Sequence, residues 1–146
     1  MAGAQQTKFE WRGNDIVAAV HRAAARGVVA LGETIVSEAK QRVHRLTGTL
    51  SRSIHSAPDN YQGGSDYDDA RDPEHGGSGR DLAAGAVIGE LPTWVTESQA
   101  VVLVGSWIPY ACVEEGRHPY MQPAIEAAMG RALGVFQQAF REEGLA

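Results

Sequence analysis

The sequence predicts an α+β domain in which a long N-terminal helix and a C-terminal helix pack on a small antiparallel β-sheet. Two observations lead to it: apolar residues recur every three or four positions near both ends of the chain, and β-branched runs lie between them. The chain has 146 residues, 43% apolar and 21% charged, enough for one hydrophobic core but too little for two. We therefore expect a flexible arm over residues 1–13 and a single domain over residues 14–146.

The first helix is predicted to begin near Asn14 or Asp15, because either side chain can cap free backbone N–H groups. One apolar stripe follows, which we expect to be buried: Ile16, Val20, Ala24, Val28, Leu31, Ile35, Ala39, Val43 and Leu46. The opposite face is polar and mostly charged, which predicts a solvated surface: Arg22, Arg26, Glu33, Glu38, Lys40, Gln41 and Arg45. Gly27 and Gly32 interrupt the stripe and mark either a kink or the close approach of another element.

The middle of the chain predicts a strand, a loop and a hairpin. Gly48, within Thr47-Gly48-Thr49, is expected to end the helix in a left-handed turn, and residues 50–56 alternate like a half-buried strand. Residues 57–84 are rich in Gly and Asp without an apolar period, which predicts a mobile acidic loop. The apolar runs at 85–96 and 100–105, joined by a short polar turn, predict an antiparallel hairpin with a bend at Pro92.

The C-terminal segment predicts a closing helix. Pro119 and Pro123 lie where a helix can begin, because the first turn does not use the N–H that proline lacks. Behind them an apolar stripe is expected to face the core, and Gly144 is expected to end the helix; the stripe consists of Ile125, Met129, Leu133, Phe136 and Phe140.

The residues that carry chemistry are not arranged as an active site. Cys112 is the single cysteine, which excludes an internal disulfide, and we interpret it as a small buried residue. The acidic run at 66–75 lacks the glycine and glutamate register of a calcium loop, and the five histidines lack the helical pairing of zinc hydrolases. Glu114 and Glu115 are adjacent in sequence and do not face each other across a site, so they make a poor general acid–base pair. We expect no catalytic residue, no cofactor and no metal ion, so an enzyme built on the Asp-rich loop is a weak alternative.

The charge and hydropathy of the chain bear on its partners. The net charge is −5, but residues 1–55 are basic and residues 56–92 strongly acidic. A basic first third is compatible with a small DNA-binding regulator, although the short second helix of a helix-turn-helix is not apparent. No apolar run approaches the ~20 residues of a membrane-spanning helix, and we expect neither a membrane segment nor a secretory leader.

Two segments resemble a known family. LTGTLSRSI at residues 46–54 is similar to a stretch that leaves the first helix of that family. VGSWIPYACVEEGRHPYMQPAIEAA at residues 104–128 is similar to its second motif, which opens the last helix. The family is the neck or tail-completion protein of long-tailed bacteriophages, a minor tail component. This chain differs in having Leu46 in place of a basic residue and Arg117 in place of a small hydroxyl residue. The matching residues are Thr47, Gly48, Leu50, Ser53, Ile54, Tyr110, Ala111, Glu114, Gly116, Tyr120, Pro123 and Ala124.

The resemblance implies a non-enzymatic virion protein that assembles in the host cytoplasm into a ring, commonly a hexamer, at the head–tail joint. Its partners would be copies of itself, the head connector or stopper, and the tail terminator or tail tube. Genomic DNA would pass through the lumen without sequence-specific contact. A tail terminator or a head-closure protein of the same region remains an alternative. The acidic loop would face a basic neighbour or line the channel.

The second motif has the composition of a fixed junction between the hairpin and the closing helix. Tyr110 and Tyr120 supply rings to bury, and Glu114 supplies a carboxylate near a helix start. Gly116 permits a tight turn, and Pro123 suits a helix opening. We therefore expect these residues to form a structural corner that holds the assembling fold. Ordinary core and turn roles without bearing on assembly are the alternative.

Overall fold

The computed structural model describes residues 12–44, 48–58 and 99–145. Within these ranges the order of elements is α1 (Gly13–Arg42), α2 (Thr49–Ser53), β1 (His55–Pro58), β2 (Val102–Gly105), α3 (Ala111–Arg117), α4 (Met121–Met129) and α5 (Ala132–Glu142). The described chain is mostly helical with a two-stranded antiparallel sheet, which confirms the α+β class. Most of the predicted arm, nearly all of the predicted acidic loop and the first arm of the predicted hairpin lie outside the described residues.

Helix α1 is confirmed, with different ends. It has 30 residues, about 45 Å at the usual rise. Arg12 occupies the N-cap position and no side chain caps the helix, so the predicted cap from Asn14 or Asp15 is wrong; both lie inside the first turn. The helix ends at Arg42, before Leu46, and the Val43 N–H donates to the Ala39 carbonyl at 2.9 Å.

The two glycines of α1 mark close approaches of other elements, and the helix is continuous through both. A Cβ added to Gly27 would lie 2.4 Å from Phe136 Cδ1 in α5. One added to Gly32 would lie 3.2 Å from Val102 Cγ1 in β2. Glycine therefore lets α5 and the sheet lie directly against the backbone of α1.

The segment after α1 differs from its predicted strand. Thr49–Ser53 is the short helix α2, and the strand begins later, at His55. Gly48 does adopt the left-handed conformation, with φ +78°, but it precedes α2 instead of ending α1. The alternation over residues 50–56 was misleading because Leu50, Ser53 and Ile54 are also spaced by three and four, as on one face of a helix, and all three are buried.

The sheet pairs β1 with β2 in antiparallel register, from His55 opposite Gly105 to Pro58 opposite Val102. Strand β2 lies within the predicted 100–105 run. The sheet packs against α1, and Ser56 Oγ donates a hydrogen bond to the Glu33 carboxylate across that contact.

The C-terminal region forms three helices: α3 precedes the predicted closing helix, and a turn at Gly130 and Arg131 divides the closing helix itself into α4 and α5. Both α4 and α5 pack on α1. Helix α5 runs antiparallel to α1, since Glu143, just after its end, meets Arg22 (3.1 Å), whereas Arg131, just before its start, meets Glu38 (2.7 Å). Gly144, with φ +74°, ends α5 as predicted.

Contacts between α1 and its neighbours overturn two predictions about its faces. Glu38, expected on the solvated face, is only 9% exposed and pairs with Arg42 and Arg131. Hydrogen bonds from Arg42, which have the largest effect, and from Arg131 lower the pKa of the Glu38 carboxyl below its ordinary value, although desolvation by burial raises it. Ile16 and Val20, expected in the core, are 56% and 37% exposed. Both residues lie in the first turns of α1, ahead of Arg22, which Glu143 at the end of α5 contacts.

One hydrophobic core joins α1, α2 and the segment from Ile108 to α4. Its residues are at most 6% exposed. The members are Val36, Ala39, Val43, Leu50, Ile54, Ile108, Ala111, Tyr120 and Ala124.

Candidate assembly surface and motif corner

The two motif segments, far apart in sequence, meet in the core. Leu50 and Ile54 of the first segment share one apolar cluster with Ala111, Tyr120 and Ala124 of the second segment. These five side chains are 0–6% exposed. The motif residues that meet here are therefore core residues, and they set how α4 lies relative to α1.

A pair of serines adds a polar link between the same segments. Ser53 is fully buried, and its Oγ donates to the Leu50 carbonyl at 2.8 Å. The Ser53 and Ser106 hydroxyls also hydrogen-bond each other at 2.5 Å. A buried hydroxyl with both partners in place favours one arrangement of the two segments.

Other motif residues lie away from this cluster. Tyr110, expected to be buried, is 40% exposed, because the turn before α3 places Ile108 inside and Tyr110 outside. Gly116, expected in a tight turn, lies inside α3, and an added Cβ would meet nothing within 4 Å. Pro123 is in the first turn of α4, as its chemistry predicted. Thr47 lies outside the described residues.

The carboxylate that caps α4 is Glu115, which the sequence did not single out. Glu115 Oε2 accepts hydrogen bonds from the Tyr120 and Met121 N–H groups, both at 2.9 Å, and Oε1 accepts one from Gln122 N–H at 3.2 Å. Burial raises the pKa of Glu115, but the three hydrogen bonds together outweigh it, so its pKa lies below the ordinary value. Glu114 lies in the first turn of α3, near a helix start as expected, but it caps no backbone N–H of α4; its carboxylate contacts His118 and His44.

The start of α3 also corrects the interpretation of the cysteine. Cys112 is exposed on the second residue of the helix, with Sγ 3.8 Å from the Pro109 carbonyl oxygen. Ala111, the residue before it, takes the buried position. The buried position that was predicted at Cys112 is therefore occupied by Ala111.

The closing helices leave large apolar side chains in solvent. Ile125, Met129 and Leu133 follow each other at intervals of four and are 42%, 56% and 73% exposed. We call them the α4–α5 patch. They were expected in the core, but Ala124 and Ala128 occupy the buried positions of α4 instead. Small alanines allow α4 to pack closely on α1, and the next residues in sequence then point outward.

A second exposed apolar surface lies at the beginning of α1. Ile16, Val17 and Val20 are 56%, 53% and 37% exposed; we call them the α1 patch. Single exposed apolar residues are ordinary, whereas larger contiguous apolar patches mark surfaces that bind other molecules, and we take both patches as candidates for such a surface.

A groove runs between α1 and α5, and its cations are already compensated. Arg26 and Arg131 line it, but Arg26 pairs with Glu143 at 3.2 Å and Arg131 pairs with Glu38 at 2.7 Å. The groove lining contains neither histidine nor cysteine. This groove therefore offers neither a free anion-binding site nor a nucleophile beside a base.

Comparison with known proteins finds no match for this chain among family models, curated proteins or solved structures. The likeness to phage neck proteins therefore stays a prediction that depends on residues 46–54 and 104–128. In the described ranges, no helix has the length and apolarity needed to cross a bilayer.

Proposed function

We propose that this chain is a non-enzymatic structural protein that works by self-assembly, as the protomer of a ring at the head–tail joint of a tailed bacteriophage. The observation that supports self-assembly is the pair of separate exposed patches, one on α1 and one on α4–α5. A closed ring needs two different complementary surfaces on each protomer, because its contacts are heterologous. In this proposal the α1 patch of one copy covers the α4–α5 patch of the next.

The exposed apolar side chains of the two patches would contribute to the free energy of association if a partner buried them. Full burial of a leucine, isoleucine, valine or methionine side chain contributes about 1.5–3 kcal/mol. Leu133 is 73% exposed and Met129 56% exposed, so most of that contribution is still available to a partner. Part of it is offset by the cost of association and side-chain ordering.

The core cluster in which the two motif segments meet, which we call the motif corner, supports the same proposal indirectly. Leu50, Ile54, Tyr120 and Ala124 hold the start of α4 against the end of α1. Since Ile125 and Met129 lie on α4, the position of the patch depends on this packing. The likeness in sequence at the corner would then reflect the need to present one assembly surface in a fixed orientation.

The alternative of a DNA-binding regulator is less well supported by the charges of α1. Arg22 and Arg26 both pair with Glu143, and Arg42 pairs with Glu38. Basic groups already paired with carboxylates contribute less to phosphate binding. The net charge of −5 fits a channel wall that does not hold passing DNA. The tail terminator and the head-closure protein remain alternatives of the same class.

The test of self-assembly uses one charged substitution in each patch. We expect the wild-type protein to form a closed oligomer by sedimentation velocity and native mass spectrometry, and Val17→Asp and Leu133→Asp each to remain monomeric. Mixing the two variants should give a one-to-one dimer, because each keeps one intact surface. Both residues are more than half exposed, so the variants should fold. A wild-type monomer at the highest soluble concentration, or rings from either variant alone, would contradict this proposal.

The position in the virion needs a separate experiment. Mass spectrometry of purified particles should find the chain, and a phage lacking the gene should accumulate unjoined heads and tails that complementation repairs. Cys112→Ser and His75→Ala should restore joining as well as the wild-type gene. If either variant abolishes infectivity while joined particles still form, the chain has a chemical role and the structural proposal is wrong.

A further inference from the structure

Two histidines and one glutamate from distant parts of the chain meet at the surface, beside the motif corner. His44 follows α1, Glu114 lies in α3, and His118 follows α3. His118 Nδ1 is 2.9 Å and His44 Nδ1 is 3.6 Å from the same oxygen, Glu114 Oε1. The two imidazole rings are 5.0 Å apart between centroids. One ligand atom from each residue lies within 4.8 Å of the others.

We propose that His44, Glu114 and His118 form a binding site for a divalent transition-metal ion, for which zinc is the best match. Two imidazoles and one carboxylate are a common set of three zinc ligands, with a fourth position left to water. With metal–ligand bonds near 2.0–2.1 Å, tetrahedral ligand atoms lie about 3.3 Å apart. The widest separation between donors, 4.8 Å, therefore has to shorten by about 1.5 Å, and the 2.9 Å between His118 Nδ1 and Glu114 Oε1 has to lengthen by about 0.4 Å.

The surroundings allow that movement. The His44 and His118 side chains are 52% and 58% exposed, so about half of each side chain is in solvent and not packed against the protein. Glu114 and His118 are four residues apart and already hydrogen-bonded, which places two donors on one helical turn. Only His44 comes from another element, and it directly follows Val43, which is buried in the core and 4% exposed. The backbone on both sides of the site is thus positioned before any metal binds.

The donor set selects against the hard cations. Magnesium and calcium prefer six or more oxygen ligands, whereas this site offers two nitrogens and one carboxylate. A simple ion pair is the competing explanation, but it needs only one histidine. Here two Nδ1 atoms face the same carboxylate oxygen. A bound ion would connect the end of α1 to α3 and stabilise the folded chain by an amount that grows with the logarithm of the free ion concentration above its dissociation constant.

The proposal is tested on the untagged full-length protein by calorimetric titration with zinc chloride. We expect one ion per chain with a micromolar dissociation constant, and a melting temperature that rises with zinc but not with magnesium. His44→Ala and His118→Ala should each weaken binding by at least about tenfold, in line with the known cost of disturbing metal sites. Glu114→Gln should weaken it as well.

Matched controls distinguish this site from other histidines. His21→Ala on α1 and His75→Ala in the acidic segment should bind zinc like the wild type, and circular dichroism should show that every variant is folded. The proposal is overturned if zinc does not bind. It is equally overturned if binding survives both His44→Ala and His118→Ala, or if it is lost in His75→Ala. None of these outcomes depends on ring formation.

Discussion

Two tyrosines that flank α3 should differ sharply in their effect on stability. Tyr120 is 3% exposed within the core cluster, whereas Tyr110 is 40% exposed. The pKa of Tyr120 is raised to about 12, mainly by burial and to a smaller extent by the negative charges of Glu115, Glu114 and Cys112. This agrees with a ring held inside the protein. Loss of a large buried side chain removes transfer free energy and leaves a cavity, so Tyr120→Ala should cost about 3 kcal/mol. Tyr110→Ala should cost about 1 kcal/mol, because much of its ring stays in water.

Equilibrium unfolding in urea measures both variants under the same conditions. We expect Tyr120→Ala to lower the unfolding midpoint with an unchanged slope, and to lower the melting temperature by about 10 °C for a chain of this size. Tyr120→Phe keeps the ring and should lose little, which separates packing from the hydroxyl. If Tyr110→Ala destabilises the chain as much as Tyr120→Ala, the assignment of Tyr120 to the core and Tyr110 to the surface is wrong.

Three further predictions concern the cap, the helix contacts and metal dependence. Glu115→Ala should cost about 1 kcal/mol in thermal unfolding at neutral pH. Because the folded pKa of Glu115 lies below its ordinary 4.5, the wild-type advantage should persist above that value and disappear as the pH falls through the folded pKa; an advantage that grows in acid would refute the capping role. Gly27→Ala should destabilise by about 1 kcal/mol through its contact with Phe136, whereas Gly134→Ala, with nothing within 4 Å, should stabilise by up to about 1 kcal/mol; equal signs in urea unfolding would contradict the packing described. Calcium or magnesium should leave the melting temperature unchanged, since the acidic run at 66–75 lacks a ligand register, and a saturable rise would argue for a site there.

The spacing of apolar residues and glycines was sufficient to predict the elements that are held by contacts between residues near each other in sequence. Period and glycine placement predicted α1, the helical C-terminal region and its end at Gly144, because a helix is built from contacts three and four residues apart. The β-branched run predicted β2. The close approaches at Gly27 and Gly32 were one of two alternatives, and only the presence of Phe136 and Val102 beside them selects it.

The segment at 49–53 shows where local pattern was ambiguous. A short run with apolar residues three and four apart fits a helix as well as an irregular strand, and packing chose the helix by burying Leu50 and Ile54 together. The cap from Glu115 could not be predicted from the sequence either. Its three partners lie five to seven residues further along the chain, and no local capping pattern has that spacing.

Which face of each helix is buried depended on the neighbouring element rather than on hydrophobicity. Ala124 and Ala128 are buried, and Ile125 and Met129 are exposed, because small side chains let α4 lie close to α1. His44 and His118 are likewise brought together by the packing of α3 near the end of α1, across 74 positions of sequence. Periodicity specifies that a helix has an apolar stripe, but the partner that covers the stripe, and the residues left for a second partner, are properties of the folded chain alone.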